Sequence, residues 1–276
     1  MIFAVLGGDD RFCRLCRLLA ADGHTVRAFA LERALPDCAL TPADAVAGAD
    51  CVLLPLPCEA DGMLYSPLSQ GRFPVPALLD AASPGTRVFA GKPSEMLRAA
   101  CRKRGLPLTD YLRREDFALR NAALTAEGAL AILMQGEGAL WGSRVLLGGY
   151  GRIGRFLAEK LRFLGADVTV AARRPEDRAA AELAGCRAIR FADASVPAAW
   201  DAVVSTVPAP VFGKAELLAF GDARCLELAS PPYGFDLAAA AELGKTVTLC
   251  PGLPGKYAPR AAAEALRDTI YSVLED

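Results

Sequence analysis

Short apolar runs alternate with longer stretches in which apolar residues recur every three or four positions, and this rhythm plays twice along the chain. In the first half, "IFAVLGGDD" reads as a buried strand entering a Gly-Gly turn. "RFCRLCRLLAADG" follows as an amphipathic helix stopping at Gly23. "HTVRAFAL", "DCVLLPLP", "TRVFAG" and "LPLTDYL" read as further strands, with a helix around Val75 to Ala82 before "TRVFAG". "PSEMLRAACRKRG" opens with proline at a first-turn position and closes on glycine, both helix signals. "TAEGALAILMQGEG", Thr125 to Gly138, predicts a long helix with Thr125 as its N-cap and no strand beside it. The rhythm then restarts with "SRVLLGG", "RIGRFLAEKLRFLG", "ADVTVAAR" and "PEDRAAAELAG", and strands follow in "CRAIRF", "WDAVVSTV", "ARCLELA" and "KTVTLCPG". An amphipathic helix beginning at Pro259 closes the chain.

Strands separated by helices of this length imply right-handed crossovers and parallel pairing. The expectation is an α/β protein of two doubly wound Rossmann-like domains with parallel sheets, joined by a connector helix. The first domain spans 1–123 and holds substrate. The second spans 124–276 and binds a cofactor, with 124–139 as the connector and helix 259–274 packing back across the domain junction.

Composition narrows the classes. A chain of 276 residues suits two domains of roughly 150 residues each. It is 53% hydrophobic and 23% charged, which suits a globular protein and not a disordered one. A net charge of −1 leaves no electrostatic footprint for nucleic acid or an anionic membrane. No apolar run is expected to span a membrane, and the N-terminus has no basic region of a signal peptide. The nine cysteines are an odd number scattered through apolar segments. Cys13 and Cys16 share a helix face without a second ligand pair, so they read as packing residues, not as a metal or redox site. The chain fits a reducing cytoplasm.

The chemistry concentrates in "VLLGGYGRIG". Gly149, Gly151 and Gly154 follow an apolar strand and open a helix, the context a dinucleotide fingerprint requires. The amides of Gly151, Arg152, Ile153 and Gly154 would face a pyrophosphate at the positive end of the helix dipole. The next strand ends in "AARR", placing Arg173 and Arg174 where an NAD site carries an acid. Guanidiniums there suit a 2′-phosphate and predict NADP; a solvated pair opening a helix is the plainer alternative. Thr206, Val207 and Pro208 in "STVPAP" sit at a strand end facing the expected nicotinamide ribose, and Ser230 follows another strand end, with Asp236 beyond it. The first-half "VLGGDDR" lacks a third glycine, and Asp9 and Asp10 would repel a second dinucleotide.

A hydroxy acid dehydrogenase would need a catalytic histidine, and His24, in a helix-to-strand turn, is the single one in the chain. A shikimate dehydrogenase-like reductase would need a lysine in the first domain, for which Lys92 and Lys103 are the candidates. A non-catalytic NADP-binding subunit is the third possibility.

Several segments occur in order at familiar intervals: "AVLGGDDR", "REDFALRNAALTAEGAL", "VLLGGYGRIG", "VAARRPE", "STVPAPVF", "ELASPPYGFDL" and "CPGLPGKYAPRAA". Together they resemble the A subunits of dipicolinate synthase from spore-forming bacteria. The resemblance implies an NADP-linked enzyme that forms pyridine-2,6-dicarboxylate from the cyclic product of the lysine-branch aldolase, in sporulation. It also implies two kinds of partner, a flavoprotein-like B subunit of dipicolinate synthase and further copies of the chain in a homo-oligomer. A dicarboxylate substrate needs cations, and Arg114, Arg260 and Arg11 stand at family-like positions, with Lys256 a weaker candidate. Asn121, Thr125 and Glu127 would lie near the reaction site, Glu127 as a proton acceptor or, at the N-terminus of its helix, as a partner of the helix dipole.

Overall fold

The computed structural model describes residues 1–136 and 138–276; Glu137, inside the expected connector, lies outside the described residues. The chain divides into two units, Met1–Asn121 with Ala258–Asp276, and Ala122–Tyr257.

In the first unit, strands β1 (Ile2–Leu6), β2 (Thr25–Phe29) and β3 (Cys51–Leu53) precede a small antiparallel hairpin of β4 (Glu59–Ala60) and β5 (Met63–Leu64). Strands β6 (Arg87–Ala90) and β7 (Leu108–Asp110) complete a parallel sheet of order β2-β1-β3-β6-β7. Helices α1 (Asp10–Ala21), α2 (Pro42–Val46) and α3 (Glu95–Arg104) form its crossovers. The turn after Val75 is a 3-10 helix, Val75–Leu79, and α2 was not legible because only five residues follow its Thr41 capping box.

Helix α4 spans Glu115–Met134, so it begins well before Thr125. Glu115 and Asp116 sit in its first turn, where acidic side chains favour the helix dipole. Thr125 is therefore mid-helix and buried, not at the N-cap. At 20 residues α4 is long and apolar enough to cross a bilayer, which corrects the expectation that no run reaches that length. Of its apolar window 44% is buried in the protein, and Ala126, Ala129, Leu130 and Leu133 belong to the second unit's core.

The second unit carries β8 (Arg144–Gly148), α5 (Arg152–Phe163), β9 (Asp167–Ala171), α6 (Pro175–Leu183), β10 (Arg187–Ile189) and β11 (Ala202–Ser205). It continues with α7 (Lys214–Ala219), β12 (Arg224–Glu227), α8 (Leu237–Glu242), β13 (Val247–Leu249) and α9 (Leu253–Tyr257). All six strands pair in parallel in the order β10-β9-β8-β11-β12-β13, the dinucleotide-binding arrangement. The short helices α7 and α8 have too few turns to show a period and were missed in the sequence.

Helix α10 (Pro259–Glu275), expected to close the second domain and pack back across the junction, is grouped with the first unit. Its Ala263, Leu266 and Ile270 share one apolar cluster with Phe12, Leu15 and Leu19 of α1. Its amphipathic pattern announces a buried face but not which unit supplies the partner.

Candidate cofactor site

Gly149 leaves β8 with φ +95°, a conformation that favours glycine, and a Cβ there would stand 2.6 Å from Thr206 Oγ1. A Cβ on Gly154 would lie 2.3 Å from the Gly149 carbonyl oxygen, so the helix can start this close to the strand with glycine alone. Gly151 differs: nothing lies within 4 Å of where its Cβ would point. It is the N-cap of the twelve-residue α5 and provides no side-chain cap. The chain thus turns a positive helix end toward an open face, at the switch point between β8 and β11. This cradle fits a dinucleotide pyrophosphate, held by the amides of Gly151 to Gly154.

Beyond β9 the two arginines differ. Arg174, the N-cap of α6, grips Asp177 through two hydrogen bonds of 2.7 and 2.9 Å, with Glu176 at 3.6 Å. That partner raises the Arg174 pKa and holds Asp177 below the usual carboxylate range. Arg155 also approaches Asp177, at 3.5 Å, while its guanidinium lies over the Tyr150 ring. Arg173 is exposed, and its guanidinium makes no ion pair among the described residues. No acidic residue closes β9, which ends at Ala171 and is followed by Ala172.

At the end of β11, Thr206 Oγ1 donates to the Gly148 carbonyl at 2.9 Å, joining the turn of Thr206, Val207 and Pro208 to the glycine turn. Ser205 is fully buried, and its Oγ accepts from the Val207 amide at 3.4 Å. Glu227, at the end of β12, is 1% exposed and was not singled out in the sequence. Its carboxylate accepts from the amides of Ala229 (2.9 Å), Gly234 (2.7 Å) and Phe235 (3.1 Å), and from the Ser205 hydroxyl. Burial pushes its pKa up against the pull of these donors. An acid closing an apolar strand, "RCLELAS", was the available signal. Ser230 is exposed in the loop that Glu227 holds, and Asp236 is the N-cap of α8, accepting from Ala238 and Ala239.

The remaining candidates fall elsewhere. Arg114 contacts Asp276 (3.2 Å), Asp116 (3.3 Å) and Ser272 (3.0 Å), an anchor for the end of α10 in place of an open cation. Arg260 is 80% exposed at the start of α10 and pairs with Glu264 at 2.9 Å. Asn121 lies half-buried within α4, and Glu127, mid-helix and not at an N-terminus, pairs with Lys160 at 3.2 Å. Arg11 is 3% exposed and locked on Asp9 and the Leu56 carbonyl, so it fills the first unit's own switch point. Lys92 is exposed with φ +58°, and Asp110 near it is claimed by Arg98 at 2.9 Å. Lys256 is exposed on α9. His24 precedes β2, at the amino ends of the strands, packed near Phe3 and Tyr271.

Residues 2–112 match the family model of the N-terminal domain of the dipicolinate synthase A subunit. Over 283 aligned residues the chain is 26% identical to the A subunit of dipicolinate synthase from Bacillus subtilis, covering 99% of this chain and 95% of that one. The chain is similar to the dipicolinate synthase A subunit from end to end. The solved structure of the A subunit from Bacillus halodurans superposes with a TM-score of 0.87 at 24% identity, covering 100% and 98% of the two chains. A D-lactate dehydrogenase from Escherichia coli shares the fold more distantly, with TM-score 0.63 and 14% identity over 100% and 97%.

Proposed function

We propose that this chain is an NADP-dependent oxidoreductase subunit that forms dipicolinate from the dihydro or hydroxytetrahydro product of the lysine-branch aldolase. The observation that carries the reading is the glycine cradle opening a 3-2-1-4-5-6 sheet, in a chain similar throughout to the A subunit of dipicolinate synthase.

The Gly151 to Gly154 amides bind the pyrophosphate, and Arg173 takes the 2′-phosphate, since Arg174 is committed to Asp177. Thr206, Val207, Pro208 and Ser230 supply backbone and hydroxyl groups to the nicotinamide ribose. Arg260, itself highly exposed and paired with the half-buried Glu264, is the cation for a substrate carboxylate. A hydroxytetrahydro substrate would first lose water. Bound NADP+ would supply the hydride acceptor: the dihydropyridine would give up one hydride (a proton with two electrons) and release its second ring hydrogen as a proton. Aromatisation drives that loss, so a modest acceptor such as Glu127 suffices, while Asn121 and Thr125 share a different face of α4. The reading includes a flavoprotein-like B subunit, a homo-oligomeric assembly and a sporulation role in the cytoplasm.

The cofactor assignment is tested by titrating the chain with NADPH and NADH. NADPH is expected to bind more tightly; tighter binding of NADH overturns the NADP assignment. Turnover is tested by supplying the aldolase product with NADP+ and following the ultraviolet absorbance of dipicolinate.

A further inference from the structure

The loop from Leu228 to Phe235 packs beside the Thr206–Pro208 turn, and one carboxylate joins them. Glu227 Oε2 accepts from the amides of Gly234 and Phe235, and Oε1 from Ala229, so both ends of the loop close on one side chain. The hydroxyl of Ser205 donates to the same carboxylate and accepts from the Val207 amide. A Cβ on Gly234 would stand 1.9 Å from Ser205 Oγ, which shows how closely loop and turn are packed. Tyr233, in the middle of the loop, holds φ +65°, a conformation an L-residue keeps only where its surroundings enforce it. The ladder bonds of β12 are complete without this side chain: Leu228 N donates to the Ser205 carbonyl and Cys250 N to the Glu227 carbonyl. The buried carboxylate is therefore not needed to pair the strands. It sets where the loop and the turn stand.

We propose that Glu227 is a positioning residue for the cofactor site, fixing the Leu228–Phe235 loop directly and the Thr206–Pro208 turn through Ser205. This rests on the reading of the second unit as a nicotinamide dinucleotide site. Glutamine has nearly the same shape, but its amide presents N–H groups to backbone N–H donors. One side of the carboxylate's contacts must then open.

The test uses the full chain and NADPH fluorescence as a binding readout independent of turnover. Wild type, E227Q, S205A and the double variant are titrated with NADPH, and their Tm values are measured by calorimetry. E227Q is expected to weaken NADPH binding about tenfold, with S205A a few-fold weaker than wild type and the pair less than additive. If E227Q lowers Tm but binds NADPH as tightly as wild type, the carboxylate only stabilises the fold and the proposal is overturned. If E227Q does not fold, S205A decides: unchanged affinity overturns the proposal, and a few-fold loss supports it. Failure of wild type itself to bind NADPH or NADH would instead remove the cofactor reading on which this rests.

Discussion

The two guanidiniums beyond β9 differ in what they touch, and the difference sets their expected roles. A charge-assisted contact to a phosphate contributes ~1.5–3 kcal/mol, so Arg173→Ala should weaken NADPH by about tenfold or more while sparing NADH. Arg174→Ala removes a surface pair with Asp177 and should change the preference less; comparing the two dissociation constants checks this. The sequence showed that two arginines stand there but not that Asp177 takes one of them. The cysteines give a second prediction at this scale. All nine are free thiols, and Cys38 alone is not fully buried. Burial pushes Cys13, Cys51 and Cys225 up to about 11 and Cys58 up to about 12. An aromatic disulfide reagent at neutral pH should therefore titrate Cys38 first, and the others only on unfolding. These raised thiols keep their protons in the folded chain above the unfolded value of ~8.5, so unfolding there releases protons. Their contribution to stability is complete below that pH and is lost as pH rises toward about 11, which a series of thermal melts would show.

At the scale of elements, two segments distinctive in the sequence meet in the second unit. Gly128 of α4, in "NAALTAEG", has no Cβ, and one built there would lie 2.8 Å from Leu253 and 3.3 Å from Tyr257 of α9. "PGLPGKY" thus owes its close seat to a missing methyl group, a contact no linear pattern reveals. Gly128→Val should cost ~1–3 kcal/mol by overpacking, seen as a lower Tm. Helix α10 is the counterexample to the sequence reading. Its buried face was legible, but its partner α1 lies at the other end of the chain, and non-local pairing leaves no local signature. The Arg114 contacts at its far end are partly exposed, so Arg114→Ala should lower Tm by only ~2–4 °C, the effect of about 1 kcal/mol. A large rise in substrate KM with Tm unchanged would restore Arg114 to the substrate site.

For the whole molecule, the principal strands of both sheets were legible because parallel strands buried on both faces read as continuous apolar runs. The glycine cradle was legible because its chemistry is local: strand, turn and helix are contiguous in sequence. Glu227 was not, because its partners are the Ser205 hydroxyl on β11 and three amides of the loop that follows β12. The same limit applies to Arg11, whose closure on Leu56 spans 45 residues. On the proposed function, this chain couples NADP to dipicolinate formation through the Gly149–Gly154 cradle. The most direct measurement supplies the aldolase product and NADP+ to the chain, with and without a B subunit of dipicolinate synthase. Dipicolinate and NADPH are followed together, beside a Gly154→Ala variant. One NADPH for each dipicolinate is expected with wild type, and neither with the variant. Dipicolinate without NADPH, or no dipicolinate in either mixture, would contradict the proposed function.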